Sequence, residues 1–170
     1  FKVRGAAYKI SELSDEEKAC GIIACSAGNH AQGVARAAQK EGIKCTICMP
    51  AGAPLSKVEA TKSFGAEIVF VKDTYDDAYA KAVEMQKETG ATFVHPFNDE
   101  DVIAGQGTIG LEILEQLPET DAVIAAVGGG GLLSGLALAI KSIKPACKVY
   151  GVQSMNAPAM YNSFRAHQLM

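Results

Sequence analysis

Short runs rich in β-branched residues alternate with longer amphipathic segments along the whole 170-residue chain. This alternation is typical of α/β domains, in which parallel strands are joined by helices that cover the sheet. Strands are predicted at residues 21–25, 44–49, 67–71, 91–94, 122–127 and 148–153. Helices are predicted at residues 2–13, 30–41, 55–64, 75–89, 101–117, 132–143 and 157–167. The expected fold is therefore a three-layer parallel sheet with helices on both faces.

Residues at the ends of the predicted helices support these boundaries. Gly42, Gly65 and Gly90 each follow a predicted helix. Helices often end at a glycine that adopts the left-handed conformation. Thr74 and Asp77 have the spacing of a capping box at the start of another helix.

The composition excludes several classes of partner. The net charge is −3, aromatic residues make up 6% and tryptophan is absent, so neither nucleic acid nor an anionic membrane is an expected partner. Residues 122–140 carry no charge and are long enough to cross a bilayer. Four consecutive glycines interrupt them, and these predict a strand, a loop and a helix rather than a membrane span.

The five cysteines form an odd number, and no second cysteine or histidine pair completes a zinc site. Reduced thiols in the cytoplasm are therefore expected, with no bound metal. Cys45 and Cys48 lie three residues apart on a predicted strand, so their side chains face opposite sides of the sheet. The pair is interpreted as two core cysteines.

The glycine run at residues 128–131 follows a predicted strand and begins a helix. Without Cβ atoms, its backbone N–H groups can approach a phosphate closely at the positive end of the helix dipole. A flexible surface turn is the alternative. No Gly-Lys-Ser/Thr follows, so a nucleoside triphosphate loop is not indicated.

Residues 26–30, Ser-Ala-Gly-Asn-His, form a similar small-residue loop before another helix. Its N–H groups suit a carboxylate. An ordinary helix cap by Asn29 or Ser26 is equally compatible with the pattern. His30 taken alone is interpreted as a packed or surface histidine.

A Gly-x-Gly-x-x-Gly pattern occurs at Gly105, Gly107 and Gly110. Dinucleotide binding would require a strand directly before it and an acidic residue about 20 positions later. Neither is present, so these glycines are interpreted as close contacts between helices.

Three segments in this order carry a family resemblance: residues 1–6 (Phe-Lys-Val-Arg-Gly-Ala), residues 26–30 and residues 128–131. Together they resemble the fold-type II pyridoxal-phosphate enzymes, in particular the group of threonine/serine dehydratases (threonine ammonia-lyases) and serine racemases. Residues 49–57 (Met-Pro-Ala-Gly-Ala-Pro-Leu-Ser-Lys), 95–97 (His-Pro-Phe) and 151–153 (Gly-Val-Gln) extend the resemblance over the whole chain.

The resemblance implies a role for each segment. Lys2 would form a Schiff base with the aldehyde of pyridoxal 5'-phosphate and later take the α-proton of the substrate, and Phe1 would lie beside the cofactor ring. Asn29 would hydrogen-bond the cofactor's 3-hydroxyl group. The other implied residues bind the cofactor phosphate (Gly128, Gly129, Gly130, Gly131 and Leu132) or the substrate carboxylate (Ser26, Ala27, Gly28, Asn29 and His30). The implied reaction converts L-threonine or L-serine to a 2-oxo acid and ammonia.

Some residues of this chain differ from those of related enzymes, and these differences bear on the expected reaction and on the expected metal content. Racemases of the group carry a proton-donating serine where Ala27 stands, so dehydration is favoured over racemisation. β-Replacement enzymes carry threonine where His30 stands, so that activity is disfavoured as well. The divalent-cation site of the group uses acids at positions occupied here by Gln153 and Ala159, so no metal site is expected. A non-catalytic anion- or metabolite-binding α/β module is the alternative outside the enzymes.

The resemblance also implies a domain organisation. Residues 1–24 would belong to a large cofactor domain, residues 25–99 would form a small domain, and residues 100–170 would return to the large domain. The chain begins with Phe1, so an incomplete fold is expected in which Lys2 frays and the chain alone is inactive. The whole protein is expected to be a cytoplasmic homo-oligomer that acts on a small amino acid.

Overall fold

A computed structural model describes residues 1–72 and 74–169. The described residues confirm an α/β fold in which parallel strands alternate with helices. The strands are β1 (Ile22–Cys25), β2 (Cys45–Pro50), β3 (Glu67–Val71), β4 (Thr92–Phe93), β5 (Ala122–Ala126) and β6 (Lys148–Val152). The helices are α1 (Lys2–Ser11), α2 (Asp15–Cys20), α3 (Asn29–Glu41), α4 (Leu55–Ser63), α5 (Tyr75–Thr89), α6 (Glu100–Gln116), α7 (Gly131–Ile143) and α8 (Ala159–Ala166).

The strands form two parallel sheets rather than a single one. The larger sheet has the order β3-β2-β1-β4, and β5 pairs with β6 in the smaller sheet. All the pairings are parallel, from Ile22 opposite Cys45 in the first sheet to Ala122 opposite Lys148 in the second. The alternation of strands and helices predicts parallel pairing, but it contains no information on which strands become neighbours. The proposed division into large and small domains stays a prediction.

Helices cover both faces of the larger sheet, which confirms its three-layer architecture. On one face, Ile22 of β1 packs in a buried cluster with Val34 of α3. On the other face, Ile23 packs in a second cluster with Ala78 and Ala82 of α5. Because β1 is buried on both faces, all four of its residues are apolar.

The two cysteines of β2 lie on opposite faces of the sheet. Cys45 belongs to the cluster under α3 and Cys48 to the cluster under α5, and both side chains are buried. The interpretation of the pair as core cysteines is confirmed. Burial raises the pKa of the Cys45 thiol to about 12, so this group stays protonated at neutral pH.

The predicted helix over residues 2–13 is wrong in its length, because α1 ends at Ser11 and a second helix follows. Ser14 and Glu17 form a capping box at the start of α2, with the Glu17 N–H donating to Ser14 Oγ and the Ser14 N–H to Glu17 Oε2. The Ser-x-x-Glu spacing of this box is visible in the sequence. The predicted box at Thr74 and Asp77 is confirmed at the start of α5.

The glycines of the Gly-x-Gly-x-x-Gly pattern lie inside α6, where they permit close helix contacts. A Cβ atom on Gly105 would lie 2.6 Å from the carbonyl oxygen of Arg4, and one on Gly107 would lie 3.0 Å from that of Gly135. The interpretation as helix packing is confirmed. It also explains how α6 holds α1 on one side and α7 on the other.

The uncharged stretch at residues 122–140 forms β5, a glycine loop and most of α7, as predicted. No helix within the described part of the chain combines the length and hydropathy needed to cross a membrane.

Candidate active site

Lys2 is the first residue of α1, and two other helices hold that helix in place. A Cβ atom on Gly33 of α3 would lie 2.9 Å from the backbone nitrogen of Val3, so the glycine allows the start of α1 to approach α3 closely. Arg4 donates to both carboxylate oxygens of Glu112 on α6, at 2.6 and 2.7 Å. These contacts hold the start of α1 against α3 and α6, and the expectation that Lys2 frays stays a prediction.

The amine of Lys2 lies in a half-buried position and faces the backbone of residues 95–97. Its Nζ donates to the carbonyl oxygen of Pro96. Burial lowers the pKa of Lys2, because removal from water disfavours the charged ammonium. The Nζ atom also lies 5.4 Å from the centre of the Phe1 ring.

The segment of residues 95–97 connects Lys2 to the glycine loop. A Cβ atom on Gly129 would lie 2.4 Å from the Phe97 ring, and one on Gly131 would lie 2.7 Å from the Phe97 carbonyl oxygen. Phe97 therefore packs directly against the loop, one residue after the carbonyl group that accepts from Lys2. The sequence predicts no role for this segment, although His-Pro-Phe is part of the family resemblance.

The glycine loop leaves the start of α7 accessible. Gly130 is the N-cap of α7 and has a φ of 90°, which L side chains rarely adopt. A Cβ atom on Gly128 would have no neighbour within 4 Å, so the loop is open to solvent at that point. The first N–H groups of a helix have no partner within the helix and can bind a ligand. The Leu132 side chain packs in the cluster beneath the smaller sheet, so only its backbone is available to such a ligand.

The second loop, residues 26–30, contains the start of α3. The N-cap is Gly28, and it makes no side-chain cap hydrogen bond. Ser26 Oγ instead accepts from the Gly28 N–H at 3.2 Å, and Asn29 is already the first helical residue. The capping alternative for Ser26 and Asn29 is therefore wrong, because the loop enters the helix one residue earlier than a side-chain cap would require.

Asn29 has a partner that sequence reasoning missed. Its Oδ1 atom accepts from Lys57 Nζ at 3.1 Å, which brings the start of α4 to the loop. Lys57 ends the Pro-Leu-Ser-Lys motif, the only signal in the sequence for this contact. A cavity of about 220 Å³ is lined in part by Phe1, Lys2 and Asn29. A larger apolar groove near β6 and α8 is lined by other side chains, so cavity size alone does not identify the site.

His30 is a packed histidine, as interpreted, and its ring is almost fully buried. Nε2 lies 2.8 Å from the carbonyl oxygen of Val94, so in the neutral ring this nitrogen carries the proton and donates. Burial is the main cause that lowers the pKa of His30 to about 4; the nearby Lys2 and His95 contribute to this lowering, and the hydrogen bond to Val94 opposes it.

We expect this histidine to make the fold sensitive to acid. Its pKa is about 4 when folded and close to 6.5 when exposed, so the unfolded state binds more protons between these values. The free energy of unfolding should therefore fall as pH drops from 6.5 to about 4, by up to about 3 kcal/mol from this group. The measurement is urea unfolding of the chain over this pH range beside His30→Gln, whose amide can still donate to Val94. Equal pH slopes for the two chains would contradict the prediction.

Comparisons with known proteins give a consistent result. Residues 1–169 match the protein family described as pyridoxal-phosphate dependent enzyme. The L-threonine ammonia-lyase of Thermotoga maritima is 57% identical over 165 residues, which cover 97% of this chain and 41% of that protein.

Two solved structures are similar to the structure of this chain. The processed form of threonine deaminase isoform 2 from Solanum lycopersicum gives a TM-score of 0.96 at 42% identity, with 99% of this chain and 49% of that chain covered. Maize serine racemase gives a TM-score of 0.96 at 40% identity and covers 99% of this chain and 51% of its own. The chain thus spans about half the length of the relatives that it matches.

Proposed function

Because the chain belongs to the family of pyridoxal-phosphate dependent enzymes, we propose that the whole protein converts L-threonine or L-serine to a 2-oxo acid and ammonia. One observation carries the proposal. The amine of Lys2 and the glycine loop before α7 meet at the same three residues, 95–97. The identity of 57% to a protein named L-threonine ammonia-lyase supports the choice of reaction.

The residues of this site fit the cofactor that the family name implies. The loop is open at Gly128, where a Cβ atom would meet nothing within 4 Å, and it ends in the N-terminus of α7. This arrangement suits a phosphate group. Lys2 offers an amine whose pKa is lowered by burial, which suits attachment to an aldehyde. We propose that Gly128, Gly129, Gly130, Gly131 and Leu132 hold the phosphate through their backbone, and that Phe1, Lys2 and Asn29 contact the rest of the cofactor.

Lys2 would serve as nucleophile and base in this reaction. When bound, pyridoxal phosphate supplies an electron sink for the electron pair left at the substrate α-carbon. A lowered pKa increases the neutral fraction of the Lys2 amine at neutral pH, and only the neutral amine can accept a proton. The hydrogen bond to Pro96 orients this amine.

The loop at residues 26–30 would bind the substrate carboxylate. It enters the N-terminus of α3, where the helix dipole favours a negative group. Apart from the adjoining backbone, a Cβ built on Gly28 would meet nothing within 4 Å, so a carboxylate can reach the backbone there. We assign substrate binding to Ser26, Ala27, Gly28, Asn29 and His30, in the case of His30 through its backbone because its ring faces Val94.

The side chain at position 27 predicts the reaction outcome. Alanine has no proton to donate to the opposite face of the substrate α-carbon. We therefore expect the whole protein to release 2-oxo acid and ammonia from L-threonine or L-serine, with little D-serine formed. Chiral chromatography of the amino acids beside a 2-oxo acid assay tests this. Formation of D-serine faster than 2-oxo acid would contradict the proposal, and Ala27→Ser should shift the ratio toward racemisation.

The proposal extends to the cellular setting. The five cysteines are free, which supports a reducing compartment such as the cytoplasm. We also propose that the whole protein is a homo-oligomer, as the family resemblance implies.

A further inference from the structure

A turn at residues 95–98 is built around the side chain of His95. Its Nδ1 atom accepts hydrogen bonds from the backbone N–H of Asn98 at 2.8 Å and of Phe97 at 3.2 Å. Acceptance by a side chain two and three residues earlier is the usual property of Asn or Asp in an Asx turn. Histidine can do this only while Nδ1 carries no proton.

This turn contacts both Lys2 and the glycine loop at residues 128–131. Its Pro96 carbonyl oxygen accepts from Lys2, and its Phe97 packs against Gly129 and Gly131. The rings of His95 and Phe97 also meet edge to face, with 4.7 Å between their centres. A change in the turn would therefore move the Lys2 partner and the support of the glycine loop together.

We propose that His95 is a positioning residue, whose Nδ1 atom holds the turn that sets Lys2 against the glycine loop. The inference rests on the function proposed above. His95 need not touch the substrate for this role. Its effect reaches the reaction through the backbone of Pro96 and Phe97.

The groups that surround His95 keep its ring neutral at ordinary pH. Burial lowers the pKa of His95; the Asp99 carboxylate opposes this shift and the Lys2 ammonium adds to it. His30 on α3 is a further titratable neighbour. In acid, a second ring proton would occupy Nδ1 and remove the acceptor of both N–H groups. The activity should therefore decline on the acid side together with the turn.

The test compares His95→Ala with His95→Asn in the whole protein. Alanine removes the acceptor, whereas the Asn carbonyl oxygen can accept the same two N–H groups without a titratable ring. We expect His95→Ala to lower kcat by about 10- to 100-fold with a smaller change in KM, as for a misplaced catalytic group. His95→Asn should recover kcat to within about threefold of the original and lose the acid decline due to His95.

Amide hydrogen exchange gives a readout that does not depend on activity. The Phe97 and Asn98 amides should exchange slowly in the original protein and in His95→Asn, and much faster in His95→Ala. Equal impairment of both variants, or an unimpaired His95→Ala, would overturn the inference. Absence of 2-oxo acid release by the original protein would instead refute the proposed function, while the exchange pattern would still test the turn.

Discussion

Replacement of Lys2 by alanine in the whole protein is expected to reduce 2-oxo acid release from L-threonine or L-serine by about 10³-fold or more. The amine at this position is the group proposed to attach the cofactor and to move the α-proton. No other lysine is hydrogen-bonded to the Pro96 carbonyl oxygen within the described residues. The same change should abolish the visible absorbance of covalently bound cofactor, so gel filtration would yield a colourless protein.

Two further variants separate the chemistry of Lys2 from its charge and from general effects. Lys2→Arg keeps a positive group but cannot provide a neutral amine, so it should be as inactive as Lys2→Ala. Lys40→Ala removes an exposed lysine on α3 and should leave the rate unchanged. Activity of Lys2→Ala within tenfold of the original would show that another residue carries out these steps.

The local features of the fold could be predicted from the sequence, but strand order could not. The alternation of strands and helices, the left-handed glycines and the Thr74 cap depend on residues close together in the chain, and they appear as expected. Assignment of β4 to the edge beside β1 depends on packing between distant segments. Helix α2 was missed because its apolar pattern is weak, although its capping signal is plain.

In the candidate site, too, local patterns could be predicted from the sequence, whereas contacts between distant residues could not. The two glycine-containing loops were recognised because each is a local pattern between a strand and a helix. The contacts of Pro96 with Lys2 and of Phe97 with the glycine loop could not be read from the sequence, since they join residues more than 30 positions apart. The hydrogen bonds to His95 Nδ1 are local, but a histidine is not the usual acceptor in such a turn. The support of Lys2 by Gly33 and by the Arg4–Glu112 pair is likewise a contact between distant parts of the chain.

A test of the glycine loop must separate loss of a ligand contact from damage to the protein itself. A Cβ atom on Gly129 would overlap the Phe97 ring, and Gly130 has a positive φ. A bulky residue at either position would distort the loop, so weaker binding would not show that the loop itself contacts the ligand. Gly128 has neither constraint, because its Cβ position is empty and its φ is not positive.

Gly128→Val is therefore expected to weaken binding of pyridoxal phosphate by about 10- to 100-fold, equivalent to the loss of one charge-assisted hydrogen bond. Stability should change by less than about 0.5 kcal/mol, as for a substitution that meets no neighbour. Gly52→Val serves as the matched control. Gly52 lies in a different loop, and a Cβ atom there also has no neighbour within 4 Å. Spectroscopic titration with pyridoxal phosphate gives the affinity, and competition by inorganic phosphate identifies the part of the ligand that is affected. If Gly128→Val bound pyridoxal phosphate as tightly as Gly52→Val, the side chain would occupy space that no phosphate uses, and the loop would have to be regarded as a turn between β5 and α7.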